Sequence, residues 1–355
     1  EQEKYVLLAI SQMWEALVFS TAADIWGDIP YSQAANAEFA QPKFDSQKEL
    51  HDAMLNLIDD AIANFDKGQV FTLPSDFDFT FSSDVEKWKR AAHTLKSRIL
   101  LNWAEVESNN YSLALEAAQG GITDESGDGD WKALHGAAIS ERNVWFQFFL
   151  SNPDYMGAGE LLVDMLKRDN DDRLGIYFLS SGGNEIIGVS PGDSVLNASM
   201  LNVVGHFGMS WKPEFVSWYE NKFIMAECYY NLGNEESALQ ILNETLSGIE
   251  QKWISAGYSD MMIPRYEDIS GQSLLEAIMN EKYKALFLNI QSWSDWRRTG
   301  YPRFLDSEGN STECGLQNSG VGVPRRLLYP EKEKTTNPNC PQGDNIYDRV
   351  ENDPY

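Results

Sequence analysis

The feature that most constrains this chain is the recurrence of apolar residues at steps of three and four. Trp88, Ala91, Ala92, Leu95, Ile99, Trp103 and Val106 draw one stripe, and Leu275, Ile278, Met279, Leu286 and Ile290 draw another. A period near 3.6 puts such residues on one face of a helix that must be buried against something. Similar patterns run over about 4–23, 46–65, 111–119, 159–168, 215–232 and 235–253. Asp84 stands where a helix N-cap belongs, ahead of the first stripe. Strand patterns are short and few. Gly175 to Leu179 and Glu185 to Val189, separated by Ser180-Ser181-Gly182-Gly183-Asn184, read as one small hairpin. The expected fold class is mainly α, with long loops at about 24–45, 66–83, 120–158, 180–214, 254–272 and 299–355. Loops of that length inside a compact domain are often functional. No low-complexity boundary divides the chain, so residues 1–355 are expected to form one domain.

Two segments resemble tetratricopeptide helix pairs. One runs from Leu100 through Asn109-Asn110-Tyr111 to Ala118; the other runs from Ala226 through Leu232-Gly233-Asn234 to Leu242. Small residues at Ala104, Ala114, Ala226 and Ala238 let antiparallel helices approach closely, and Gly233 is free to take the positive φ that ends a helix. The pairs lie far apart in sequence, which excludes a tandem solenoid.

Composition narrows the function. With 28 basic and 54 acidic side chains the net charge is -26. That sign repels phosphate backbones and anionic lipid, so neither nucleic acid nor a membrane surface is an expected partner. No stretch approaches the ~20 consecutive apolar residues of a membrane span. The chain begins at Glu1, so any leader or lipid-anchor segment would lie upstream. Of three cysteines, Cys228 reads as a buried apolar residue, whereas Cys314 and Cys340 lie in the loop-rich tail and would suit a disulfide outside the cytoplasm.

Signatures of catalysis are absent. The four histidines are isolated, and there is no H-E-x-x-H, no phosphate-cradling glycine loop and no G-x-S-x-G elbow. Fifty-four acids offer too many carboxylate pairs for any one to be informative about glycoside hydrolysis. Asp124, Ser126, Asp128 and Asp130 alternate around Gly127 and Gly129 like the first half of a calcium loop. His135 occupies the twelfth position, where a bidentate Glu would complete the site, and an acidic solvated turn is the favoured reading. No other cofactor is expected.

Several motifs are similar to those of the SusD/RagB-like family. They are Gly27-Asp28-Ile29-Pro30-Tyr31-Ser32-Gln33-Ala34 after the first helix, Pro42-Lys43-Phe44-Asp45-Ser46, and the helix Lys87-Trp88-Lys89-Arg90-Ala91-Ala92-His93-Thr94-Leu95-Lys96-Ser97-Arg98. Asp171-Asp172-Arg173-Leu174, Asn280-Glu281-Lys282-Tyr283-Lys284-Ala285-Leu286-Phe287, Trp293-Ser294-Asp295-Trp296-Arg297-Arg298-Thr299-Gly300 and Val323-Pro324-Arg325-Arg326-Leu327-Leu328-Tyr329-Pro330 follow in the family's order. His93 stands where Asn is common, and Asp172 where Pro is common. The resemblance implies a SusD-like helical fold and a cell-surface, outer-membrane lipoprotein. It would bind oligosaccharide or another nutrient without catalysis and cap a SusC-like TonB-dependent transporter. Independently of the family, Arg297, Arg298, Arg325 and Arg326 read as residues that cap a helix and pin loops.

Sugars pack their C–H faces on aromatic rings and need polar side chains for their hydroxyls. The expected ligand contacts are therefore loop aromatics, namely Phe77, Phe79, Trp131, Trp145, Phe146 and Trp211, with Asp76, Asp78 and Asn143 as polar partners. Two alternatives stay open: a peptide- or protein-binding member of the same uptake class, and a helical glycoside hydrolase with an unrecognised carboxylate pair.

Overall fold

The computed structural model describes residues 2–68, 78–153, 155–180, 185–190, 194–305, 311–312, 322–343 and 345–354. It is mainly helical. The helices are α1 (Gln2–Trp26), α2 (Gln47–Gly68), α3 (Val85–Leu101), α4 (Asn110–Gln119), α5 (Val144–Ser151), α6 (Glu160–Arg168), α7 (Arg173–Tyr177), α8 (Trp218–Asn231), α9 (Glu235–Ser255), α10 (Gly271–Ala285), α11 (Gln291–Thr299) and α12 (Glu331–Thr336). Among the described residues the short strands β1 (Trp131–Lys132), β2 (Phe178–Leu179), β3 (Met200–Leu201), β4 (Glu214–Val216), β5 (Phe304–Leu305) and β6 (Ser311–Thr312) pair as β1–β4, β2–β3 and β5–β6, all antiparallel.

The periodic stretches become helices, and their ends obey local chemistry. Asp84 caps α3, its carboxylate accepting from the backbone N–H groups of Glu86 and Lys87. Gly233, at φ +81°, ends α8, and Gly300, at φ +73°, ends α11. The expected hairpin over 175–189 does not form. Residues 173–177 are helical, and Phe178 and Leu179 pair instead with Leu201 and Met200. Val189 makes only a single bridge, to Gly159. Short apolar runs do not name their partner, and here a more distant segment supplies it.

By length and composition, Lys4–Trp26 is long and apolar enough to cross a membrane. In this fold it lies antiparallel to α2, with Gln12 accepting from Asn64 near one end and the Ala23 carbonyl accepting from Gln47 near the other. Val6, Ala9, Met13 and Ala16 are fully buried in the core.

The two tetratricopeptide-like pairs, α3–α4 and α8–α9, are separated in sequence but adjacent in space, because α4 packs on α8. Asn221 of α8 is the joint. Its amide donates to the carbonyls of Ala118 and Ile122, and its Oδ1 accepts from Thr94. A Cβ at Gly121 would lie 2.4 Å from Asn221 Oδ1, so only glycine fits there.

Charged side chains are buried between α3, α8, α10 and α11. Arg98 pairs with Glu220; Arg173 with Asp171 and Glu281; Lys284 with Glu281 and Asp169. Lys282 pairs with Asp295 at 2.9 Å, and Arg298 reaches Asp295 at 2.6 Å and Glu227 at 2.7 Å. The loop-pinning reading holds for Arg297, Arg325 and Arg326, whereas Arg298 is engaged in the buried pairs. Arg297 donates to the Arg325 carbonyl at 3.0 Å, Arg325 pairs with Asp353 at 2.7 Å, and Arg326 donates to the Trp26 carbonyl at 2.6 Å. Cys228 and Cys340 are buried; Cys314 lies outside the described residues.

Two outcomes are expected. Ala226→Trp, at a fully buried position of α8, should cost about 1–3 kcal/mol by overpacking and lower Tm in a thermal melt. Arg298→Ala should cost roughly 3–5 kcal/mol, because it leaves Glu227 and Asp295 buried with only Lys282 between them. A guanidinium titration would show this as a lower midpoint at an unchanged slope.

Candidate functional site

Asn143 ties the start of α5 to the loop that carries Met209 and Trp211. It is fully buried and caps α5, accepting from the N–H groups of Trp145 at 2.8 Å and Phe146 at 3.1 Å. Its own backbone N–H donates to the Met209 carbonyl, and its amide donates to the Trp211 carbonyl at 3.1 Å. Helix α5 and the loop carrying Trp211 are therefore held as one unit. The residue positions the site; it does not face a ligand.

Beside this joint lies an aromatic recess lined by Tyr177, His206, Phe207, Trp211, Trp253 and Phe287, with Glu214 and Lys252 as its charged pair. The rings lock one another edge to face. Phe207 meets Trp211 at 4.7 Å, His206 meets Trp253 at 4.5 Å, and Tyr177 stacks on Phe287 at 4.8 Å. Lys252 donates to Glu214 at 2.9 Å and lies 4.6 Å from the Tyr219 ring centre. Burial, with Lys252 nearby, pushes the His206 imidazole down to about 4, so it is neutral at physiological pH. The free volume inside is about 30 Å³, room for about one water. A sugar ring cannot enter, so a ligand would lie across the mouth, on Trp211 and His206, rather than within. On α5, Val144, Phe148 and Leu150 are exposed, as is Tyr155 just after it.

The sequence-expected contacts divide. Trp211 and Trp145 are half-buried and Phe79 is exposed, as surface contacts require. Phe77 and Asp76 lie outside the described residues. Trp131 corrects the expectation of an exposed loop aromatic. Pairing of β1 with β4 carries it fully into the core, where it meets Trp14, Trp88 and Phe215 edge to face. Phe146 and Asp78 are also buried. Asp78 accepts from the backbone of Thr80, Phe81 and Ser83 and from the Trp88 indole, so it shapes the turn into α3.

The calcium candidate resolves into a turn closed by a lysine. Asp124 accepts from the Ser126 N–H, the Ser126 hydroxyl accepts from the Asp128 N–H, and the Lys132 ammonium donates to the Gly127 carbonyl at 2.6 Å. Asp130 points inward, accepting from the Trp218 N–H at 2.8 Å. Among the described residues no three His, Cys, Asp or Glu side chains group in a way that could hold a metal. Of the recess, sequence reasoning found Trp211 and missed the rest. The dipeptide His206-Phe207 between Gly205 and Gly208 was a usable local signal; Tyr177, Trp253 and Phe287 had none.

The family is shown directly. A family model described as SusD-like, "Starch-binding associating with outer membrane", matches residues 1–330, and the chain belongs to that family. Solved structures agree in fold. A SusD homolog from Bacteroides uniformis is 20% identical with a TM-score of 0.79, over 98% of this chain and 81% of that one. A chitin-binding protein is 23% identical with a TM-score of 0.77, over 97% of this chain and 80% of that one. A chitin-binding SusD homolog from Flavobacterium johnsoniae is 19% identical with a TM-score of 0.77, over 96% of this chain and 81% of that one. No curated protein matches the sequence.

Asp130 yields a pH prediction. Burial, then the neighbouring Glu214 charge, pushes its carboxyl up to about 7 against the pull of Lys132 and Lys252. Its native state holds the proton more tightly than the unfolded chain does. The stability it contributes is therefore complete below its unfolded value near 4 and is lost as pH rises toward about 7. Asp130→Asn should remove that loss. Its Tm relative to the unmodified protein should rise by several degrees between pH 5 and pH 8, read by paired thermal melts; a constant difference would place the titration elsewhere.

Proposed function

We propose that this protein is a non-catalytic, cell-surface binder of oligosaccharides that delivers them to a partner TonB-dependent, SusC-like transporter in the outer membrane. The whole chain would act as one binding unit, tethered by a lipid anchor upstream of residue 1. The observation that carries the reading is membership of a family described as starch-binding and outer-membrane-associated. The chitin-binding structural neighbours and the aromatic mouth at Trp211 support it. In this reading a sugar packs on the half-buried rings of Trp211 and His206, and Asn143 fixes the loop, so little ordering cost is left for binding. The reading without catalysis is supported by the state of the nearest carboxylates. Glu214 is committed to Lys252, and Asp130 is buried against Trp218, so neither is placed to protonate a glycosidic oxygen.

Calorimetry against starch-derived and chitin-derived oligosaccharides, with other plant, host and microbial glycans alongside, tests the proposal. At least one glycan should bind. Trp211→Ala should weaken it by about tenfold or more, the range expected for an aromatic anchor. A chromogenic glycoside panel should release no product; release that disappears on changing a single acid would establish the hydrolase reading. The exposed Val144, Phe148, Leu150 and Tyr155 favour a second reading, a peptide ligand. Short apolar peptides that bind and compete with no glycan would establish it.

A further inference from the structure

A second recess, distant in sequence from the Trp211 loop, opens between α6 and α10 and is closed at one end by residues 302–304. Its walls include Glu160, Asp164 and Arg168 of α6, Glu276, Asn280 and Tyr283 of α10, and Arg303 and Phe304. Its free volume is about 450 Å³, against about 30 Å³ at the aromatic recess. That lies within the ~300–1,000 Å³ typical of small-molecule sites.

The lining has a marked donor–acceptor imbalance. Of its two cations, Arg168 is ion-paired to Asp169 through two nitrogens, and Arg303 donates to the Tyr301 hydroxyl at 2.7 Å and lies over that ring. Ser190 donates its hydroxyl to Glu160. Its other acceptors are uncommitted. Among the described residues Asp164 and Glu276 make neither a hydrogen bond nor an ion pair, and Asn280 Oδ1 has no partner, so turning it toward a ligand breaks no existing bond. Glu160 and Asp164 sit four residues apart on one helix, where like charges repel. Burial and the Glu160 charge accordingly hold the Asp164 carboxyl above its ordinary range. Tyr283 and Phe304 add ring surface.

We propose that this groove is a second saccharide site, separate from the Trp211 face, that takes a pyranose bearing a free amine. The ammonium would sit against Asp164 and Glu160, relieving their repulsion, with Glu276 on the facing wall. Hydroxyl donors would go to the spare carboxylate oxygens and Asn280, and the ring's apolar face to Tyr283 or Phe304. The excess of acids over cations disfavours uronic sugars, whose carboxylate would meet Glu160, Asp164 and Glu276. The choice of a sugar rests on the carbohydrate reading above; the preference for a cationic donor rests on the lining alone.

The test titrates glucosamine, glucose and glucuronate into the intact protein by ligand-observed NMR and calorimetry. The same titrations are run on D164N/E276Q, on Trp211→Ala, and on Gly159→Trp. Gly159 is exposed at the groove's edge with φ -74°, and an added Cβ there meets nothing within 4 Å, so a bulky side chain fills the mouth without strain. Glucosamine should bind most tightly and glucuronate most weakly. D164N/E276Q and Gly159→Trp should each lose about tenfold or more in affinity, and Trp211→Ala should lose nothing. Conversely, any oligosaccharide held by the Trp211 face should bind D164N/E276Q as before, so the two sites fail separately. The proposal is overturned if glucosamine does not bind, if it binds both groove variants as tightly as the unmodified protein, or if Trp211→Ala abolishes it.

Discussion

The structure depends on charge taken out of water. Arg98, Arg173, Arg298, Lys282 and Lys284 are almost wholly removed from solvent, each facing a carboxylate that is equally buried. Placing an ion in the interior costs several kcal/mol, recovered only when partner geometry and the remaining hydrogen bonds are good. Apolar faces can slide along one another at little cost; these pairs cannot. Arg298 meets Glu227 only when α11 stands at one height along α8, and Arg173 meets Glu281 only when α7 stands at one height along α10. The buried charges thus fix the register between the tetratricopeptide-like scaffold and the helices behind it. That register places β4, α9 and Phe287 around the aromatic recess.

The scaffold was largely legible in the sequence because helices are local. Every residue of the Trp88 stripe reports on its own helix, and Asp84, Gly233 and Gly300 mark helix ends within a few positions. What failed was non-local or masked by composition. Helix α5 lay inside a stretch read as loop because Val144-Trp145-Phe146-Gln147-Phe148-Phe149-Leu150 is apolar on nearly every side and shows no period. The Phe178–Leu179 strand was visible, but its partner lies at 200–201, beyond any turn signal.

The site was legible only in part, for a related reason. Trp131 follows Asp124-Glu125-Ser126-Gly127-Asp128-Gly129-Asp130, a setting that reads as solvent. A two-residue strand pairing suffices to turn the indole into the core. Asn143 looked like a ligand partner because its chemistry suits hydroxyls; the same amide suits a helix cap and a loop carbonyl. Trp211 was found because it sits in a loop whose composition already marks it. Tyr177, Trp253 and Phe287 come from three separate segments and become neighbours only when the buried charges have set the helices.

The tail holds the beginning of the chain. Asn352 donates to Asp24 at 2.7 Å and accepts from Gln47, and Val350 packs against Gly27, where a Cβ would be 3.1 Å away. Asp24 is buried at the end of α1, and more than three hundred residues separate it from Asn352. Contacts of such separation are slow to form. The first helical hairpin therefore keeps a polar gap in its side until the segment around Asn352 has been made and has docked on it.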